Sequence, residues 1–88
     1  MTYNDLKNDM AALHNNGSMV SIAVGKLIAM MVVEHLWDQG NVFQILDDND
    51  TSMIFIEDNI TAIDKSTDGI GDVYTVVQDG IQFVISVI

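Results

Sequence analysis

The sequence predicts an α+β fold in which two N-terminal helices pack on an antiparallel sheet of four to five strands. Before Asn41 the chain carries helix caps and a long apolar segment, whereas after it short β-branched segments are separated by Asp, Asn and Gly. With 88 residues, 49% of them hydrophobic, the chain can fill one core but not two. We therefore expect a single domain over residues 1–88.

The first helix is predicted over residues 3–15. Thr2 and Asp5 have the spacing of a capping box, with Asp where Glu or Gln is more common. Gly17 follows two asparagines and should end the helix, because glycine readily adopts the left-handed conformation of a C-cap. One face of this helix is apolar and consists of Tyr3, Leu6, Met10 and Leu13.

The segment 18–38 permits two interpretations, because apolar residues cover all of its faces and periodicity cannot decide between helix and strand. Its length, its Ala, Leu and Met content and the stop at Gly40 favour a second helix, which is the preferred interpretation. Its Val and Ile content, with Gly25 and Lys26 as a two-residue turn, would instead suit a β-hairpin.

The remainder of the chain predicts short strands. Segments 42–46 and 52–56 should form a hairpin, and segment 60–63 should be followed by a polar loop over 64–72. Asp79-Gly80 is typical of a two-residue hairpin turn and should join strands 73–77 and 81–88. The last strand is apolar on both faces, so it should be covered on both sides or lie at an edge that pairs with another chain.

Charge and composition exclude several classes of partner and compartment. Thirteen acidic residues and three lysines give a net charge of −10, so nucleic acid and acidic membranes should be repelled. The apolar stretch 22–33 is shorter than the roughly 20 residues of a membrane-spanning helix. The absence of cysteine and of a basic, apolar leader at the N-terminus leads us to expect a cytoplasmic protein.

The motifs of catalysis and metal binding are incomplete. Residues 64–72 resemble part of a calcium loop, but its twelfth position is Thr75 instead of Glu, and Lys65 opposes a cation. His14 and His35 are too few for a zinc site without further ligands, and no nucleophile elbow or phosphate-binding loop is present. We therefore expect no enzyme activity, no metal and no cofactor.

The best candidates for partner contacts are acidic turns and one tryptophan. Asp47, Asp48 and Asp50 form one turn, and Glu57 and Asp58 form another at the opposite end of the same predicted strand. These residues are also ordinary turn formers, and solubility alone can account for an acidic surface. Trp37 is either a core residue or a contact residue, since tryptophan is enriched at the energetic centres of interfaces.

These residues predict a non-enzymatic protein that binds a basic surface on another protein. An inhibitor or adaptor of a larger, nucleic-acid-handling macromolecule fits best, of the kind that phages and mobile elements encode, and it would act as a nucleic-acid mimic. The alternative is a structural subunit of a homo-oligomer, most simply a twofold dimer, since the segment 20–33 and the strand 81–88 have more apolar surface than a monomer of this size easily covers.

Overall fold

The computed structural model describes residues 1–67, 69 and 71–88, and within them the chain forms one helix and two antiparallel sheets. The helix is α1 (Tyr3–Asn16), and the strands are β1 (Met19–Val24), β2 (Leu27–Val32), β3 (His35–Asp38), β4 (Val42–Leu46), β5 (Ser52–Ile56), β6 (Ile60–Thr67), β7 (Asp72–Gln78) and β8 (Ile81–Val87). The strand order is β2-β1-β8-β7-β6 in the larger sheet and β3-β4-β5 in the smaller one. The α+β class is confirmed, whereas the second helix and the single sheet are wrong.

Helix α1 begins and ends where its caps predict. The Thr2 side chain accepts a hydrogen bond from the Asp5 N–H, and the Asp5 carboxylate accepts one from the Thr2 N–H. Gly17 adopts φ 61° and donates its N–H to the His14 carbonyl. The buried face contains Tyr3, Leu6 and Met10, as its spacing predicts.

The segment 18–38 is not a helix but the hairpin β1–β2 followed by β3. Gly25 has φ 59° and is the only residue of the Gly25-Lys26 turn with positive φ, as a turn with glycine first requires. Six residues of the segment 20–33 are Val or Ile, whose branched side chains restrict χ1 in a helix and pack well on a pleated surface. Pairing of β1 with β8 then supplies long-range contacts that a local pattern cannot reveal.

The later hairpins match their predicted turns more closely. Strands β4 and β5 have the predicted bounds, and the turn between β7 and β8 has positive φ at both Asp79 (55°) and Gly80 (76°). The predicted loop over 64–72 is wrong in extent, because β6 continues to Thr67 and pairs with β7. The polar residues 64–67 lie on this edge strand of the larger sheet and are exposed to solvent.

Strand β8 lies in the middle of the larger sheet, between β1 and β7, so of the two alternatives for this strand the edge position is wrong. Ile85 of this strand is fully buried on the inner face, whereas Val84 is partly buried on the outer face. The free edge of this sheet on the β1 side belongs to β2.

The core lies between α1 and the inner faces of both sheets. Its aromatic part links the helix to the smaller sheet, with the Tyr3 and Phe43 rings 5.5 Å apart and the Phe43 and Phe55 rings stacked at 4.5 Å. The larger sheet contributes Val20, Ile22, Met31, Tyr74, Val76 and Ile85. Within the described residues no helix is both long and apolar enough to span a membrane.

Candidate functional site

The outer face of the smaller sheet presents a tryptophan to solvent. Successive side chains of a strand point to opposite faces, so burial of Leu36, Phe43 and Phe55 towards the core turns their neighbours outwards. Trp37, Gln44 and Ile54 thus form one row across the three strands, with Trp37 opposite Gln44 and Gln44 opposite Ile54.

This row belongs to a surface without charged side chains. Trp37 is 59% exposed and Ile54 is 45% exposed, so two large apolar side chains of this row meet solvent. Together with Gln39 and Val42 they line a shallow cavity of about 130 Å³. We call the surface formed by Trp37, Gln39, Val42, Gln44 and Ile54 the Trp37 face.

The turn between β4 and β5 is organised by Asp47, whose carboxylate faces inwards. Its Oδ1 accepts hydrogen bonds from the Asn49 N–H (2.8 Å) and the Thr51 N–H (3.0 Å), and only 9% of the residue is exposed. Asp50 adopts φ 67°, which Asp tolerates better than most residues. Of the three predicted contact acids in this turn, Asp48 and Asp50 are exposed, whereas Asp47 holds the turn together.

Asp48 belongs to a small polar cluster with Glu34 and His35 beside the Trp37 face. Asp48 Oδ1 lies 2.7 Å from His35 Nε2, and the Asp48 N–H donates to Glu34 at 2.8 Å. Contacts with Glu34 and His35 lower the pKa of Asp48, while the contact with Asp48 and lost solvation raise the pKa of Glu34. Glu34 therefore takes up a proton before Asp48 as the pH falls.

The cluster also has the residue types of a metal site. One ligand atom from each of the three side chains lies within 4.8 Å of the others, and all three residues are exposed. Each side chain already has a hydrogen-bond partner inside the cluster, which accounts for their positions without a cation. Sequence reasoning missed Glu34, because the preferred interpretation placed it in a helix, whereas it lies in the connection between β2 and β3.

A second acidic turn lies at the other end of β5. Glu57 and Asp58 are exposed in a 3₁₀ turn, Glu57–Asn59, and the Glu57 N–H donates to the Asn41 carbonyl at 2.9 Å. The Asp79 N–H donates to the Asn59 carbonyl, which adds a third acidic residue to this end. Five residues of β5 separate the two turns, a rise of about 17 Å.

Nearby lysines do not neutralise these two turns. Lys7 Nζ lies 3.1 Å from Asp38 and donates to the Gly40 carbonyl, and Lys65 pairs with Asp9 and Asp72. Lys26 forms no ion pair with any carboxylate among the residues that the structure describes. Both ends of the Trp37 face therefore keep a negative field.

No protein-family model, curated protein or solved structure compared with this chain matches it. A functional assignment must therefore rest on the geometry of the Trp37 face and its acidic ends.

The structure brings Trp37 together with the predicted acidic turns, because all of them belong to the smaller sheet or its connections. Gln44 and Ile54, which sequence reasoning missed, complete the surface between the turns. The predicted bounds of β4 and β5 already placed Gln44 and Ile54 opposite each other, so their pairing could have been found. Their position in one row with Trp37 depends on β3, which was not predicted.

Proposed function

We propose that this chain is a non-enzymatic binding protein that inhibits or adapts a larger protein through the Trp37 face. A single observation carries the proposal: an exposed tryptophan lies in an uncharged row between two acidic turns about 17 Å apart. This arrangement has the apolar centre and polar rim of a protein interface.

The centre and the rim contribute differently to binding. Trp37 and Ile54 would set the lifetime of the complex, because truncation of a well-packed interface tryptophan typically costs about 2 kcal/mol or more. The carboxylates of Asp48, Asp50, Glu57 and Asp58 would speed association with a positively charged partner. The partner is therefore expected to have an apolar pocket between two basic patches.

A partner that handles nucleic acid suits this charge pattern. Its basic surface is built for phosphates, and carboxylates on a rigid sheet can occupy the same positions. Direct binding of nucleic acid by this chain is disfavoured by the net charge of −10. In this proposal the chain mimics nucleic acid and competes with it for the basic surface of the partner.

The test is affinity capture from a lysate of the organism that encodes the chain, with the wild type and three variants as baits at low and high salt. Trp37→Ala should abolish capture at both salt concentrations. Asp48→Asn with Asp50→Asn should weaken capture at low salt and make it less salt-dependent. Asp47 is left unchanged in these variants, because its carboxylate holds the turn.

A matched control replaces a carboxylate that belongs to neither of the two acidic turns. Asp64→Asn removes one charge from the exposed edge strand β6 and should leave capture unchanged. Equal capture by the wild type and Trp37→Ala would contradict the proposal, and so would an equal loss with Asp64→Asn and the Asp48/Asp50 variant.

A further inference from the structure

The edge strand β2 presents apolar side chains and backbone groups that no other described strand covers. Leu27 is 77%, Ile28 68% and Met30 58% exposed, and β2 pairs only with β1 among the described strands. The strand contains no proline and no charged residue, which are the usual devices that prevent edge-to-edge pairing. We call Leu27–Val32 the β2 edge.

The direction of the backbone groups follows from the ladder with β1. The Val33 N–H donates to the Ser18 carbonyl at 2.9 Å, so Val33 faces β1. Hydrogen-bonding direction alternates along an antiparallel strand, and Ile28, Met30 and Val32 therefore direct their N–H and C=O groups away from β1. The same three side chains lie on the outer face of the sheet, because Met31 and Val33 are buried on the inner face.

Opposite charges stand beyond the two ends of this edge, equally far along the chain from its central residue. Lys26 precedes the β2 edge by one residue and has no carboxylate partner among the described residues, while Glu34 follows the strand. Both residues are exposed and stand equally far along the chain from Met30. The raised pKa of Glu34 reflects its acidic neighbours Asp48 and Asp47, which a nearby ammonium group would offset.

We propose that the β2 edge binds the β2 edge of a second copy of this chain, antiparallel and with Met30 at the twofold axis. Ile28 then lies opposite Val32 of the second copy, and Lys26 lies opposite Glu34 at both ends. This register pairs the outward backbone groups through about six interchain hydrogen bonds. Two of these bonds go to the Val32 carbonyls, each of which also accepts the Glu34 N–H of its own chain. It is self-complementary, as a twofold interface must be.

A second copy fits this edge better than an unrelated strand. Two chains of net charge −10 repel each other, so close approach is favoured along an edge whose strand carries no carboxylate. Glu34 and its neighbours Asp47 and Asp48 lie beyond one end of this strand, where Lys26 of the second copy would face them. Strands β1, β2 and β8 carry no charged side chain, and the one cation beside them has its complement at the other end of the same edge. The proposed pair joins the two larger sheets into one continuous sheet and uses no residue of the Trp37 face.

The first test is sedimentation velocity of the whole chain over a range of concentrations, with the wild type, Met30→Pro and Met30→Leu. Proline at position 30 removes an outward N–H and leaves the ladder with β1 intact, so it is tolerated on an edge. Met30→Pro should weaken the dimer by about 100-fold, whereas Met30→Leu keeps the backbone donor and should dimerise like the wild type. A wild-type monomer at all concentrations, or an unchanged dimer in Met30→Pro, would overturn the proposal.

Charge exchange tests the register and does not depend on how Met30→Pro folds. Lys26→Glu makes the net charge more negative and Glu34→Lys makes it less negative, yet each should weaken the dimer by about tenfold, since each places like charges opposite one another. The double variant Lys26→Glu/Glu34→Lys should recover the wild-type affinity. Failure of the double variant to recover, or opposite effects of the two single variants, would overturn this register.

Discussion

Gln78 of β7 accepts a hydrogen bond from the backbone N–H of Ile56 in β5, with 2.7 Å between Oε1 and N. Its side-chain amide also donates to the Ile54 carbonyl at 2.9 Å. The Gln78 side chain thus takes the place of a neighbouring strand along β5 and joins the two sheets. Only 8% of this residue is exposed, so its two hydrogen bonds to β5 lie largely out of solvent.

Gln78→Leu should therefore lower the free energy of unfolding by about 2 kcal/mol, because two backbone groups lose their partner in a largely buried place. Urea denaturation measures the change. Gln82→Leu on the neighbouring strand β8 is the control, since Gln82 is exposed. Equal destabilisation by the two variants would contradict the role of Gln78.

Asp9 joins α1 to the larger sheet and should make stability depend on pH. Burial raises the pKa of Asp9, but the hydrogen bonds from Lys65 Nζ (2.9 Å) and the Tyr74 hydroxyl (2.8 Å) outweigh it and lower that pKa overall. The stabilisation is therefore present above the ordinary pKa of an aspartate and is lost as the pH falls through the lowered value.

Asp9→Asn should lower the free energy of unfolding at neutral pH by about 2 kcal/mol and have a smaller effect in strong acid. Chemical denaturation across this pH range measures the difference. Asp64→Asn, which removes an exposed carboxylate, should show little change at any pH. The same loss for both variants would indicate a general charge effect.

Millimolar calcium should leave the melting temperature unchanged. The first residues of the calcium-like segment, Asp64 to Thr67, lie in β6 and pair with β7, so they cannot wrap around an ion. Asp68 and Ile70 of that segment lie outside the described residues. A rise of several degrees with calcium that Asp64→Asn removes would contradict this prediction.

Salt should affect the two proposed interactions in opposite directions. Binding of a basic partner by the Trp37 face weakens as salt screens the attraction. Pairing of two β2 edges strengthens, because salt screens the repulsion between two chains of net charge −10 and only two ion pairs oppose it. Titration of both equilibria with sodium chloride tests this difference, and a shift of both in the same direction would contradict one of the mechanisms.

Local sequence signals predicted the elements whose turns are encoded by a few residues. The Thr2–Asp5 capping box, Gly17 and the Asp79-Gly80 turn each fix the backbone locally, and all three have the predicted conformation. The segment 18–38 failed because its apolar residues suit both a helix and a strand, and the choice depends on pairing with β8, more than fifty residues away. A local pattern does not contain that contact.

The candidate site was predicted in part for the same reason. Asp48, Asp50, Glu57 and Asp58 are exposed turn residues, as their polarity indicates. The inward carboxylate of Asp47 depends on the conformation of the turn between β4 and β5. The contact of Glu34 with Asp48 depends on how that turn packs against the connection between β2 and β3. The exposure of Trp37 depends on which face of β3 packs on the core, and the sequence predicted no strand there.

The most direct test of the proposed binding function is site-specific photocrosslinking in lysate. A photoreactive residue at position 44, in the middle of the Trp37 face, is compared with one at position 12, where Ala12 is exposed on α1. We predict a crosslink to a larger protein with a basic surface from position 44 that Trp37→Ala removes, and no such crosslink from position 12. Crosslinking from position 12 alone, or equally from both positions with and without Trp37, would contradict the assignment of this face.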